Sequence, residues 1–119
     1  MASRRLPNHL VAERKRLALS QEEVAFMLGK KGGEQVSRHE RFSLTPTLET
    51  ALEYEAIYKK PVSELFSGIF DAAAERVADR AELLDERDRK TKGERRNLKK
   101  KELFQRLAFE DVLKRHAET

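Results

Sequence analysis

The segment GGEQVSRHER, residues 32 to 41, joins two adjacent glycines to a run of side chains that can donate or accept hydrogen bonds. If a helix follows the glycines, Val36 anchors its inner side and polar residues cover its outer side. That outer side carries Glu34, Gln35, Ser37, Arg38 and Arg41. Such a face fits the major groove of B-DNA, where each base pair presents its own pattern of donors and acceptors. The segment therefore predicts a helix that reads base edges.

The elements that must position this helix are also helical. A first helix begins near Leu10 and places Leu10, Arg14 and Leu17 on one side. Ser20 and Glu23 form the capping-box pattern that opens a second helix. Gly29 is a typical residue to end it, and the two following glycines allow backbone angles with positive φ and leave room for close packing.

Further helices follow the polar segment. Thr45 or Thr47 can cap a fourth helix, with Pro46 near its first position. Pro61 disfavours helical geometry at Lys60, so the fourth helix must end there. The stretch PVSELF, residues 61 to 66, is then predicted to form a short fifth helix with its apolar side chains in the core.

The pattern changes after Gly68. Phe70, Val77 and Leu84 recur every seven residues, which is typical of a helix that pairs with another helix. A second apolar helix is predicted from Leu98 onward. Its apolar residues are Leu98, Leu103, Phe104, Leu107, Ala108, Val112 and Leu113. Neither helix can bury its stripe alone, so residues 67–119 are predicted to form a two-helix extension. It either folds back on itself or dimerises through Phe70, Val77, Leu84, Phe104 and Leu107.

Composition narrows the functional classes. The 119 residues carry a net charge of +4. The charge is unevenly distributed: residues 1–66 have 11 basic and 9 acidic side chains, residues 67–86 have 2 basic and 6 acidic, and residues 87–119 have 12 basic and 6 acidic. Cysteine is absent and the three histidines are scattered, so neither a metal site nor a cofactor is expected. No catalytic constellation or phosphate-binding loop is present, so an enzyme is not expected. No apolar run crosses a bilayer and MASRRLPNHL lacks a signal-peptide core, which favours the cytoplasm and no membrane partner.

Residues 10 to 66 resemble the Cro/repressor-type helix-turn-helix, the XRE family of bacterial and phage regulators. The resemblance lies in AERKRLALSQEEVAFMLG, QVSRHERF, TPTLETALEYEAIY and SELF, in that order and spacing. It implies an all-α chain. A five-helix lambda-repressor-like helix-turn-helix domain would occupy residues 1–66, followed by the two-helix extension over 67–119.

The resemblance also implies roles for individual residues. Gln21 would contact a DNA phosphate, and Arg14 and Glu40 would form a largely buried ion pair. The base-reading positions would be Gly33, Glu34, Ser37 and Arg38, with Arg38 as the reader of guanine O6 and N7. The turn before Val36 is one residue longer than is usual in the family, so the register of Gly33 and Glu34 is open.

Two substitutions depart from the family pattern. Phe42 stands where the family commonly has Gly after the recognition helix. Because Phe resists the left-handed conformation, the following loop is expected to take another path. Glu55 replaces a usual Ala and is expected to need a basic partner.

Together these features predict a sequence-specific transcriptional regulator, associated with the nucleoid, which binds double-stranded DNA in the major groove. A repressor is favoured, acting as a homodimer on a palindromic operator with half-sites roughly 34 Å apart. Two alternatives stay open. The chain could be an antitoxin and autorepressor whose residues 67–119 bind a partner protein. It could also be a protein-interaction adaptor that no longer binds DNA.

Overall fold

The computed structural model describes the backbone of residues 8–117 and the side chains of residues 8–109. This part of the chain is all-helical and contains no strand, so the predicted all-α class is confirmed. The side chains of Val112, Leu113 and His116 lie outside the described residues. The helices are α1 (Leu10–Arg16), α2 (Gln21–Met27), α3 (Glu34–Glu40), α4 (Leu48–Tyr58), α5 (Val62–Leu65), α6 (Ser67–Lys92) and α7 (Leu98–Ala117), with a 3₁₀ turn over Gly93–Arg95.

The chain divides into two compact units, Met1–Phe70 and Asp71–Thr119. The first unit holds α1 to α5 and the apolar core. Its buried apolar residues come from α1 to α5 and from the two C-cap residues Leu28 and Phe66: Leu10, Val24, Ala25, Leu28, Val36, Ala51, Tyr54, Tyr58, Leu65 and Phe66. Burial of these side chains is the main favourable contribution to folding of this unit.

In the first unit, α2 and α4 begin at side-chain caps. At α2, the Ser20 hydroxyl accepts a hydrogen bond from Glu23 N–H and the Glu23 carboxylate accepts one from Ser20 N–H, at 3.0 and 2.8 Å. The predicted capping box is therefore confirmed. At α4, Thr47 rather than Thr45 is the cap, since its hydroxyl accepts from Thr50 N–H at 3.2 Å. Pro46 consequently precedes the cap and lies outside the helix.

Three helix ends share one geometry. The residues after the C-caps of α1, α2 and α3 are Ala18, Gly29 and Phe42, with φ of 57°, 73° and 64°. Each end carries two backbone hydrogen bonds back into the helix, such as Ser43 N–H to Arg38 O at 3.0 Å after α3, which is the Schellman pattern. The prediction that Phe42 avoids the left-handed conformation is wrong. These hydrogen bonds hold the backbone, and the Phe42 side chain lines a small cavity with His39 and Phe66.

The end of α1 also corrects the apolar pattern. Because the helix stops at Arg16 and Ala18 reverses the chain, Leu17 is exposed and Leu19 packs against the core instead. The start of α6 also differs from the prediction, since this helix begins at Ser67 and includes Gly68 in its first turn.

Glu55 was expected to need a basic partner. Its carboxylate instead accepts a hydrogen bond from Val62 N–H at 2.8 Å. Glu55 thus pairs with the first backbone N–H of α5, and the expected basic side chain is replaced by this contact.

The second unit joins α6 to α7 through a polar contact. The Arg96 guanidinium, which is almost wholly buried, contacts Asp85 and lies 3.4 Å from Asp88 Oδ2. The hydrogen bond from Arg96 lowers the pKa of Asp85. Asn97 then caps α7, since its side-chain oxygen accepts from Lys99 N–H at 2.9 Å. No helix in the described part of the chain combines the length and apolar character that crossing a membrane requires.

The residues predicted to dimerise differ in their exposure. Phe70, Val77 and Leu84 on α6 are exposed. Leu84 and Phe104 line the same groove between α6 and α7, and Phe104 and Leu107 are half-buried. The α6 residues therefore remain available for contact with another molecule, and the role of all five in dimerisation stays a prediction.

Candidate functional site

The seven-residue helix α3 has one buried side and one exposed side. Val36, His39 and Glu40 are buried. The exposed side carries Glu34, Gln35, Arg38 and Arg41, with Ser37 half-buried beside them. The order of polar and apolar residues along α3 produces this division, because positions three and four apart lie on the same side of a helix. The exposed side is a row of hydrogen-bonding groups on a short, well-anchored helix.

An ion pair fixes the end of α3 to α1. Arg14 Nε lies 2.6 Å from Glu40 Oε2, and Arg14 Nη2 donates to Glu40 Oε1 at 3.2 Å. Arg14 Nη1 also donates to Leu19 O at 3.0 Å, and the hydrogen bond to Glu40 raises the pKa of Arg14. The Glu40 side chain is 3% exposed and that of Arg14 is 15% exposed. This is the pair that the resemblance implied.

Gln21 belongs to the same network. Its side-chain Nε2 donates to Glu40 Oε1 at 2.9 Å, so Glu40 accepts hydrogen bonds from both α1 and α2. The amide of Gln21 therefore points toward the ion pair and not away from the unit. A phosphate contact by Gln21 stays a prediction, and in this arrangement it falls to the backbone N–H at the first position of α2, which has no partner within the helix.

His39 anchors the last turn of α3. Its ring nitrogen Nδ1 lies 2.8 Å from the Tyr54 hydroxyl, and the two rings meet edge to face with centroids 5.6 Å apart. Burial lowers the pKa of His39, and the positive charge of Lys30 lowers it further, while Glu40 acts in the opposite direction. Burial also raises the pKa of Tyr54. Both groups are therefore neutral near pH 7, which suits their place in the core.

The start of α3 packs against α2 at Gly33. A Cβ built at this position would lie 3.1 Å from Gln21 Cβ and 3.1 Å from Glu22 Oε1. Gly33 N–H also donates to Glu22 Oε2 at 3.2 Å. Its φ is −77°, so the expectation that the adjacent glycines adopt positive φ is wrong here. Close approach of α2, and not positive φ, is what favours glycine at position 33.

This packing buries Gly33. The residue predicted to read bases thus lies beneath the exposed row, and a DNA contact at Gly33 stays a prediction that involves its backbone alone.

Arg38 is paired on the exposed side of α3. Its Nη2 lies 2.7 Å from Glu34 Oε1, one helical turn away, and both side chains are more than half exposed. Arg41 Nε donates to Ser37 O at 3.3 Å. The two arginines therefore point along the surface of α3 with their remaining donors open to solvent. Arg38 and Glu34 form a unit that contains both a donor fork and an acceptor.

The charges around this row are mixed. Lys30 and Lys31 in the loop before α3 add two positive charges. Glu22 on α2 adds a negative charge beside Gly33, at the start of α3. Among the described residues, no group of three or more His, Asp or Glu side chains is placed to hold a metal ion. The arrangement is suited to hydrogen bonding and to modest attraction of anions.

Some contacts that hold α3 in place were not predicted from the sequence. Tyr54 was not singled out, although a buried aromatic hydroxyl usually needs a polar partner. Glu22 was also missed. The pair Glu22 and Glu23 at the start of α2 carried a usable signal, because an acidic residue in a first turn often accepts backbone hydrogen bonds. The direction of the Gln21 amide had no signal in the sequence.

A comparison of the chain with family models, with curated proteins and with solved structures gives no match in any of the three. The geometry of α1 to α4 is therefore the ground for assigning a function.

Proposed function

We propose that this chain is a sequence-specific DNA-binding transcriptional regulator with a helix-turn-helix of the Cro/repressor type. In this proposal α2 and α3 form the motif, α1, α4 and α5 complete a lambda-repressor-like domain, and α3 enters the major groove. The observation that carries the proposal is the exposed row on α3, which the buried contacts of His39 and Glu40 hold in place.

The contacts that hold α3 in place support a role for this helix in reading base sequence. Arg14, Gln21 and Tyr54 come from three different helices and hold the buried side of α3 through hydrogen bonds of 2.6 to 2.9 Å. A helix held at several points presents its opposite side with little freedom, and this reduces the loss of conformational entropy on binding. A merely solvated helix face needs no such support.

The side chains of the exposed row can form hydrogen bonds with the edges of DNA bases. Arginine is the commonest reader of guanine, through O6 and N7, and glutamine pairs well with adenine. Arg38 and Gln35 supply these groups, while Lys30, Lys31 and Arg41 are placed to attract phosphates. Phosphate contacts of this kind set the register of a protein on DNA, and base contacts select the sequence.

A homodimer fits this function. Regulators with one reading helix per chain bind two half-sites about 34 Å apart. The exposed Phe70, Val77 and Leu84 on α6 provide an apolar stripe for pairing. In this proposal the dimer represses transcription by covering a promoter and resides with the nucleoid in the cytoplasm.

The adaptor alternative has one observation in its favour. Glu34 lies against Arg38 and neutralises part of the positive charge on the row. A surface used only for protein contact tolerates such pairing well. Selection from random DNA distinguishes the two functions, since an adaptor enriches no sequence.

The test combines this selection with one substitution. The full chain should enrich a short motif, and Arg38→Ala should lose about 1–3 kcal/mol of discrimination at one base position per half-site. Arg16→Ala is the matched control, because Arg16 is also 53% exposed and paired with a Glu on its own helix. Failure to enrich any motif would exclude the proposal. An enriched motif that Arg38→Ala leaves unchanged would exclude Arg38 as the reader.

A further inference from the structure

The first unit carries an exposed apolar surface that the proposed DNA contacts do not use. Phe26 on α2 is 83% exposed and Met27 is 49% exposed. Together with neighbouring residues they line a continuous furrow, since its two parts share Leu19 and Met27. We call it the apolar groove, and its apolar residues are Leu17, Leu19, Phe26, Met27, Ala56 and Ile57.

A contiguous apolar groove of this kind marks an interaction site. Single exposed apolar residues are common, but an aromatic ring exposed beside other apolar side chains is typical of a surface that binds a partner. Phe26 is not required for the core, because Val24, Ala25 and Leu28 already supply the buried side of this segment.

The rim of the groove is acidic. Glu22, Glu23 and Glu53 line it together with the apolar residues. Two of these carboxylates are fixed in place, since Glu22 accepts from Gly33 N–H and Glu23 accepts from Ser20 N–H. Pairing of two identical grooves would bring like charges together, which is unfavourable. The occupant must therefore be apolar with a basic border.

The chain itself contains such an element. On α7, Leu98 and Phe109 are exposed, and Lys99 and Arg106 are exposed beside them. At about 100° per residue these four side chains fall within one sector of the helix. Exposed Glu102 lies in the same sector, which therefore has two basic side chains and one acidic side chain. The last 33 residues carry 12 basic and 6 acidic side chains. The exposed sector of α7 thus offers apolar side chains to the groove and a net positive charge to its acidic rim.

We propose that the apolar groove of each chain receives the exposed side of α7 from a second copy of the chain. Leu98 and Phe109 would contact Phe26 and Met27, while Lys99 and Arg106 would lie near the acidic rim. The arrangement is reciprocal, so a dimer contains two such contacts. This inference is independent of DNA binding.

The experiment uses two full-length variants. The groove variant carries Phe26→Ser and Met27→Ser, and the α7 variant carries Leu98→Ser and Phe109→Ser. All four side chains are exposed, so both variants should retain the helical circular dichroism of the unaltered chain. In sedimentation velocity each should show a dimer dissociation constant raised roughly 10- to 100-fold, as loss of central apolar contacts does in other interfaces. Leu48→Ser is the matched control, since Leu48 is 72% exposed and does not line the groove.

Mixing the two variants decides whether the contact joins two chains. One intact groove and one intact α7 meet in a heterodimer, so the mixture should associate more strongly than either variant alone. A mixture that associates no better overturns the proposal, as does an unaltered chain that sediments as a monomer. Either variant dimerising as tightly as Leu48→Ser would also overturn it.

Discussion

Arg14 and Glu40 lie far apart in the sequence, and two side-chain hydrogen bonds of 2.6 and 3.2 Å join them. Glu40 also accepts from Gln21, so one buried carboxylate connects α1, α2 and α3. A paired charge of this kind contributes little over an apolar core, but loss of one partner leaves the other without compensation. The orientation of α3 therefore depends on this carboxylate.

Glu40→Ala should destabilise the first unit strongly. It removes the acceptor for Arg14 and Gln21 and leaves the Arg14 guanidinium, only 15% exposed, without its counter-charge. The expected loss is about 3–5 kcal/mol in the free energy of unfolding, measured by urea titration. Glu64→Ala is the control, because Glu64 is 57% exposed and its contact with Lys60 is 3.9 Å long. Equal, small effects of the two substitutions would show that the Arg14 pair does not matter for stability.

The parts of this site that the sequence predicted are those in which the residue type determines the local geometry. Ser20 and Glu23 form a capping box because their side chains reach each other's backbone N–H across one turn. Gly29 ends α2 because glycine adopts positive φ without strain. The Arg14–Glu40 pair was accessible only through a resemblance, since no local rule connects residues on different helices.

The remaining parts depend on backbone hydrogen bonds or tertiary contacts that the residue type does not determine. Phe42 and Ala18 adopt positive φ although their side chains disfavour it, because the Schellman hydrogen bonds stabilise the turn. Once Ala18 reverses the chain, Leu19 packs inward and Leu17 does not. Gln21 turns toward Glu40 because a buried carboxylate there needs a further donor. The packing of Leu19 and the direction of the Gln21 amide depend on neighbours that are distant in the sequence.

Ala18→Gly should stabilise the first unit, whereas Gly29→Ala should destabilise it. Both positions follow a helix and have positive φ, at 57° and 73°. The left-handed conformation costs a residue with a Cβ roughly 1–2 kcal/mol, and the greater freedom of glycine in the unfolded chain offsets part of this. We therefore expect changes of opposite sign, each up to about 1 kcal/mol, in urea unfolding.

Space is not a factor at Gly29, since an added Cβ there would meet nothing within 4 Å. Ala18 is exposed, so its methyl group contributes little packing. Stabilisation by both substitutions, or destabilisation by both, would contradict the assignment of strain to backbone angle.

His39 should make the stability of the first unit depend on pH. Its pKa is lowered in the folded chain, chiefly by burial, so the folded state resists protonation. The contribution of neutral, buried His39 to the free energy of unfolding is fully present above the unfolded pKa of about 6.5. It is lost as the pH falls through the lowered folded pKa, because the unfolded chain then binds more protons. The free energy of unfolding should thus decrease below about pH 6.5.

Urea titrations at several pH values, with His39→Gln as the comparison, measure this effect. The difference in unfolding free energy between the unaltered chain and the variant should shrink as the pH falls. His9→Gln is the control, since His9 is an exposed histidine of the same unit. A pH dependence that persists unchanged in His39→Gln would assign it to other groups.

Glu34 should limit non-specific binding in the proposed DNA-binding function. Its carboxylate lies 2.7 Å from Arg38 Nη2 on the exposed side of α3. The pairing offsets the charge of Arg38 and places a negative group where phosphates would approach. Exposed ion pairs of this kind are weak. A base edge with good hydrogen-bond geometry can therefore displace Glu34 from Arg38, whereas a phosphate, which is repelled by the Glu34 carboxylate, binds Arg38 less favourably.

Glu34→Gln should therefore raise the affinity for random DNA and reduce the ratio of specific to non-specific binding. One added phosphate contact by Arg38 would steepen the slope of log affinity against log salt by about 0.9. Fluorescence anisotropy with the selected motif and with random duplex, over a range of salt concentrations, measures both quantities. Glu64→Gln removes the same charge from the exposed Lys60–Glu64 pair of the first unit and should leave the slope unchanged. If Glu34→Gln and Glu64→Gln give the same slope as the unaltered chain, Glu34 has no part in selectivity, even where the motif itself is still bound.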